Sequence, residues 1–82
     1  YRNTGQTCVC VNRFLVQESV ADEFAKRLTE KTKELVVGNG LEPNSSQGPL
    51  INSSAKEKVK THIQDALKKG AKVLVGGQEH SL

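Results

Sequence analysis

At 82 residues, with 35% hydrophobic residues, 4% aromatics and neither Trp nor Met, the chain has material for one domain at most and a modest core. Its net charge of +3 comes from 12 Lys and Arg against 9 Asp and Glu. The two signs are interspersed over 22–34 and 56–69 and few aromatics are available to stack on bases, which argues for solvated helix faces and against nucleic acid as a partner.

In chain order, residues 1–10 are small and polar and then β-branched, a pattern that predicts a turn presenting Cys8. A strand is expected over about 12–17. Its run Phe14-Leu15-Val16 suits a strand covered on both faces, as in a parallel sheet. Ser19 is expected to open a helix, with Asp22 as a weak capping partner. Val20, Phe24, Leu28 and Leu35 recur near helical spacing, Glu23 and Arg27 pair on the exposed side, and Gly38 and Gly40 stop the helix. Residues 38–52, rich in Gly, Pro, Asn and Ser, read as a connecting loop. A second helix is expected to start near 52–54, with Ser54 and Glu57 as a capping box. Its apolar face is Ala55, Val59, Ile63, Ala66 and Leu67. It ends at Lys68-Lys69-Gly70, with cations on the dipole and a glycine stop. A second short strand is expected at 72–75, closed by Gly76-Gly77. The order strand, helix, helix, strand gives an α/β class with a long crossover and parallel strands. Two strands do not make a free-standing sheet, so the remaining strands are expected in further chain. The absence of Met at position 1 and the polar end also predict that both ends are internal to a longer protein. No membrane-length apolar run and no signal or transit peptide is visible, and two cysteines do not make a disulfide scaffold.

Among side chains that carry chemistry, Cys8 has two readings. It is a thiolate nucleophile at a turn whose backbone N–H groups form part of an oxyanion hole, or it is a small buried hydrophobe, the commoner fate of a lone cysteine. Cys10 reads as core, as a redox partner of Cys8, or as a metal ligand. Metal ranks last, because only His62 and His80 remain as nitrogen ligands and neither has zinc-site spacing. His62 reads as a partly exposed helix residue rather than a catalytic base. Gly38-Asn39-Gly40 is not a dinucleotide fingerprint, since the third glycine is missing and the segment follows a helix.

The run Asn3-Thr4-Gly5-Gln6-Thr7-Cys8 resembles the active-site signature Asn-x-Gly-Gln-x-Cys of the aldehyde dehydrogenases, and Tyr1 through Cys10 looks like their succinate-semialdehyde branch. Val37-Gly38-Asn39-Gly40, Gln47-Gly48-Pro49-Leu50-Ile51, Lys69-Gly70-Ala71-Lys72 and Gly76-Gly77 fit in the same order, so the resemblance covers essentially the whole chain. Tyr1, where Phe is expected, is a mild departure. The resemblance implies that residues 1–82 are part of one catalytic domain, without the cofactor-binding domain. It places the catalytic cysteine at Cys8, which attacks the aldehyde to give a thiohemiacetal. Hydride loss to NAD or NADP leaves a thioester that water hydrolyses, and the Cys8 backbone amide helps hold the oxyanion. Arg2 falls where the branch binds a distal carboxylate, and Cys10 falls on the branch's second cysteine. The general-base Glu, the oxyanion Asn and the cofactor-binding segment are implied upstream, and a second Glu that contacts the nicotinamide ribose downstream. The resemblance further implies a small-molecule aldehyde substrate, no membrane, a homo-oligomer, and a mitochondrial location in animals or a cytoplasmic one in bacteria. Three alternatives stand beside it: a dehydrogenase for uncharged aldehydes, a small C-x-C redox or metal-binding module, and a non-catalytic structural domain.

Overall fold

The computed structural model describes residues 1–81. Two helices of equal length, α1 (Glu18–Lys33) and α2 (Ser53–Lys68), follow a tight turn at Arg2–Gly5. Helix α1 opens one residue before the expected Ser19. Gln17, in extended conformation, serves as N-cap without a side-chain hydrogen bond, and Glu18 puts a negative charge on the first turn. The helix also ends a turn before Gly38. Thr32 turns its hydroxyl back onto the Leu28 carbonyl at 2.8 Å, a local bond that competes with helix continuation, and Leu35 lies outside the helix. The Glu23–Arg27 pair forms as expected, at 2.6 Å. Helix α2 starts within the expected range, but the Ser54–Glu57 box does not cap it. Asn52 reaches the position first, its side-chain oxygen accepting from the Ala55 N–H at 2.8 Å. At the other end the Gly70 N–H donates to the Leu67 carbonyl and the Ala71 N–H to the Ala66 carbonyl, with Gly70 at φ +96°. This left-handed closure is why the chain stops its helix at a glycine.

Between the helices, 36–47 closes into a compact loop. Ser46 and Gln47 donate their N–H groups to the Val36 carbonyl, and Gly38 donates to the Gln47 carbonyl. Asn39 caps the first turn of the loop through its side chain on the Leu41 N–H. The connecting loop is therefore ordered by its own hydrogen bonds, and it returns the chain to where it left α1.

The two expected strands are not formed as strands. Residues 12–17 and 72–75 are unpaired backbone, and the one ladder-type pairing among the described residues is the isolated Val37–Gln47 bridge. The reason is physical: a strand exists through a neighbour's N–H and C=O groups, and two short runs without further strands do not hold a sheet. Leu15, expected to be covered, is 98% exposed. Both runs lie beside α1. Phe14 packs against Phe24 with ring centroids 5.4 Å apart and planes tilted by 50°, and Leu74 lines a shallow depression with Ala25 and Thr29. The end of the chain then reaches α2, where Glu79 pairs with Lys60 at 3.0 Å and with Lys56 at 3.8 Å. The hydrogen bond from Lys60, then the charge of Lys56, holds the Glu79 carboxyl below its ordinary range. The same bond, then the charge of Glu57, raises Lys60. This link is in force at neutral pH. It is lost as pH falls through the lowered carboxyl value or rises through the raised lysine value. Both groups are exposed, so it ties the segment only lightly.

Helices α1 and α2 make no contact with each other, and no described residue is fully buried. The accessible surface is 7453 Å², whereas a compact monomer of this mass exposes about 4,800 Å². The radius of gyration is 14.0 Å, against about 12 Å for a compact chain of this length. The apolar faces of these elements are not satisfied by one another.

Candidate active site

The turn at Arg2–Gly5 is left-handed. Asn3 has φ 51° and Thr4 φ 58°, and Gly5 follows at φ 83°. Glycine enters this region freely and asparagine tolerates it, but a β-branched threonine does not. Holding Thr4 there costs on the order of 1–3 kcal/mol, strain of a kind that gathers at functional sites. Two sets of bonds offset it. Within the turn, Thr4 donates its N–H to the Tyr1 carbonyl and Gln6 its N–H to the Asn3 carbonyl. Across the molecule, the Thr4 hydroxyl donates to the Gly48 carbonyl at 3.0 Å.

A second turn follows at once. The Cys10 N–H donates to the Thr7 carbonyl at 3.2 Å, which puts Cys8 at the first corner of a Thr7–Cys10 turn with its side chain exposed. The expectation of a turn that presents Cys8 is met. The Cys8 N–H makes no hydrogen bond among the described residues and is left as a donor.

Cys10 is placed differently. It does not share a strand face with Cys8, because the segment is turned rather than extended. Its half-buried thiol donates to the Arg2 carbonyl at 3.4 Å, and the Thr7 hydroxyl sits 2.8 Å from the sulfur, where it donates in return. Both cysteines are free. Arg2 therefore joins the site through its backbone, while its guanidinium is exposed and makes no ion pair among the described residues. Arg2, Cys8 and Cys10 thus belong to one pair of linked turns.

His62 lies exposed on α2, in a different element from these turns. Gly38 and Asn39 line an open, shallow depression with Val37, Gly48, Pro49 and His80. A Cβ on Gly38 would lie 2.5 Å from the Ser45 hydroxyl, so a larger residue there would turn that side chain aside. No helix begins there among the described residues, so the segment lacks the helix N-terminus of a dinucleotide fingerprint. Among the described residues no three His, Cys, Asp or Glu side chains gather as a metal site, and no helix is long and apolar enough to cross a membrane.

Gln6 stands in the signature run, but its type and place there assign it no role. Its side chain accepts from the Ile51 N–H at 2.8 Å and donates to the Asn3 carbonyl at 3.0 Å, with a longer approach to the Pro49 carbonyl at 3.5 Å. Both Gln6 and the Gly48–Ile51 stretch are visible as motifs, but nothing local signals that residues 43 to 45 positions apart meet.

Residues 1–82 match the family described as "Aldehyde dehydrogenase family". The chain is 52% identical over its full length to a mitochondrial succinate-semialdehyde dehydrogenase of Arabidopsis thaliana, of which it spans 16%. It is 53% identical over 81 residues to a succinate semialdehyde dehydrogenase of Acinetobacter baylyi, covering 99% of this chain and 17% of that protein. Among solved structures, an NADP-dependent enzyme of E. coli superposes with a TM-score of 0.93 at 50% identity, covering 98% of this chain and 17% of the other. A betaine aldehyde dehydrogenase of Staphylococcus aureus in complex with NAD+ superposes with a TM-score of 0.92 at 32% identity, covering all of this chain and 16% of the other.

Proposed function

The chain belongs to the aldehyde dehydrogenase family, and on that premise we propose that it carries the nucleophile of an enzyme that oxidises succinate semialdehyde to succinate. The observation that carries this reading is the exposed Cys8 thiol at the corner of a turn beside a free backbone donor and directly after a strained, anchored turn. The Cys8 thiolate attacks the carbonyl carbon, forming a C–S bond while the carbonyl electron pair moves to oxygen. The Cys8 N–H faces that developing charge, where a preorganised donor stabilises the transition state most. A bound nicotinamide, NAD or NADP, would supply the hydride acceptor for this oxidation. Its binding residues are assigned outside residues 1–82, as are the base and the second oxyanion donor. Water then cleaves the Cys8 thioester to the acid and restores the thiol. Arg2 binds the substrate's far carboxylate, for which a guanidinium offers two parallel donors.

On this reading residues 1–82 are part of one catalytic domain of a homo-oligomeric enzyme. The unpaired runs at 12–17 and 72–75 join a parallel sheet completed by the rest of that protein, which also covers the exposed Leu15. Identity of 52–53% to succinate-semialdehyde dehydrogenases from a plant mitochondrion and from a bacterium supports the branch and leaves the compartment to the source organism. A dehydrogenase for uncharged aldehydes is the second reading, kept open because the chain also superposes on an enzyme outside the succinate-semialdehyde branch, at 32% identity.

The test is nicotinamide reduction with succinate semialdehyde. The full-length protein is expected to turn it over, and the isolated 82 residues to give none. Activity in the isolated piece, or none in the full-length protein, contradicts the reading. Cys10 adds a redox role. Peroxide and the two thiols give a Cys8–Cys10 disulfide and two waters, which removes the nucleophile until a thiol reductant restores it. Sustained peroxide, which carries an unpaired Cys8 past the thiol-reversible sulfenic acid to the sulfinic acid, is therefore expected to inactivate the full-length enzyme reversibly and the Cys10→Ala variant largely irreversibly. Equal recovery in both proteins would remove Cys10 from the role.

A further inference from the structure

We propose that Gln6 is a positioning residue for the nucleophile: its side-chain amide takes the place of a peptide unit in a β-type pairing and thereby fixes the Cys8 turn against the Pro49–Ile51 segment. The proposal rests on the reading of Cys8 as nucleophile. In a parallel ladder, a residue receives the N–H of the position after its partner and donates to the carbonyl of the position before it. The Gln6 amide does this around Leu50, with Oε1 accepting from the Ile51 N–H at 2.8 Å and Nε2 reaching the Pro49 carbonyl at 3.5 Å. The second hydrogen of Nε2 goes to the Asn3 carbonyl at 3.0 Å, which also accepts the Gln6 backbone N–H at 3.1 Å. Both donors of the amide are then committed. The orientation is unambiguous, because the flipped amide would set its NH2 against the Ile51 N–H and its oxygen against two carbonyls.

The consequence is mechanical. Asn3 is one of the two non-glycine residues in the left-handed turn, and its carbonyl is held by both the backbone and the side chain of Gln6. Thr4 adds a second tie, to Gly48. Residues on either side of Gly5 are thus bonded to one short stretch of the loop that returns from α1. Cys8 is two residues beyond Gln6, so its sulfur inherits its position from that stretch. Displacing a reacting atom by about 1 Å can cost on the order of 10²-fold in rate.

No other side chain reproduces the pattern. Methionine has nearly the same shape and neither bond. Glutamate keeps the acceptor for Ile51 but, ionised, has no donor and sets its charge against two carbonyls. Protonated, it regains one donor. In the full-length enzyme, Gln6→Met is expected to lower kcat by about 10²-fold with KM little changed. Alkylation of Cys8 by iodoacetamide in the absence of aldehyde should slow alongside it. Gln6→Glu is expected to show a similar loss at pH 8, and its kcat relative to the wild type should rise as pH is lowered towards 5.5. A role in stability alone would lower the melting temperature without that pH-dependent ratio. Wild-type kcat and alkylation rate in Gln6→Met, or a wild-type ratio that does not move with pH in Gln6→Glu, overturns the proposal. Cys8→Ala separates the two levels. If it is inactive while the Gln6 variants behave as wild type, Gln6 alone is wrongly assigned. If it remains active, the nucleophile reading falls and the positioning role with it.

Discussion

Cys8→Ala in the full-length protein is expected to lower kcat for aldehyde oxidation by on the order of 10⁴-fold or more, with the folded state unchanged. Every covalent step assigned to the enzyme passes through the Cys8 sulfur, and removal of a nucleophile is not made up by the groups around it. The residual rate would come from binding and from the oxyanion donors alone. The side chain is exposed at the corner of the Thr7–Cys10 turn. Its truncation therefore leaves no cavity in this part of the chain, and the melting temperature should stay close to that of the wild type. Steady-state nicotinamide reduction together with a thermal melt checks both halves. Cys10→Ala is the matched control. It loses a thiol held by the Thr7 hydroxyl and the Arg2 carbonyl, so it should perturb the turn modestly and retain turnover. Equal losses in the two variants would mean that the turn, and not the Cys8 sulfur, is what activity requires.

Arg2→Ala is expected to raise KM for succinate semialdehyde by roughly 10- to 100-fold while leaving KM for a neutral aldehyde of similar length nearly unchanged. That range is what a charge-assisted hydrogen bond of about 1.5–3 kcal/mol is worth. The split between substrates is the informative part. A guanidinium that grips the far carboxylate contributes nothing to a substrate without one. Arg2→Lys should recover part of the loss, since an ammonium offers charge without the planar pair of donors. The Arg2 carbonyl accepts the Cys10 thiol, so its backbone is anchored independently of its side chain and the turn should survive the substitution. A KM rise of the same size for both aldehydes would show that Arg2 shapes the turn and does not select the substrate. It would favour the reading of a dehydrogenase for uncharged aldehydes.

The parts of the fold that local chemistry decides were legible in the residues. The Glu23–Arg27 pair, the glycine stop at Gly70 and the turn that exposes Cys8 all depend on neighbours within a few positions, and all are present. Helix starts were legible only approximately, because adjacent polar residues compete for the cap. Asn52 wins over Ser54 by meeting the Ala55 N–H, and Gln17 precedes Ser19. The runs at 12–17 and 72–75 have the composition of covered strands, but covering and pairing need backbone from elsewhere, and Leu15 stands in solvent without it. In the site, the cysteines and Arg2 were found from their types and order. Gln6 and Thr4 were not, because their bonds to Gly48, Pro49 and Ile51 span 43 to 45 residues. Such a bond depends on how the loop at 36–47 folds back, and no periodicity or capping rule reports that.

The most direct test of the nucleophile assignment is to trap the acyl-enzyme. Full-length protein turning over succinate semialdehyde is quenched in acid and digested, and the peptide carrying residues 1–10 is weighed and sequenced by mass spectrometry. A succinyl group on the Cys8 sulfur, absent without cofactor and absent in Cys8→Ala, is the predicted result. Acylation at Cys10 or elsewhere during productive turnover, or aldehyde oxidation persisting in Cys8→Ala, would contradict it.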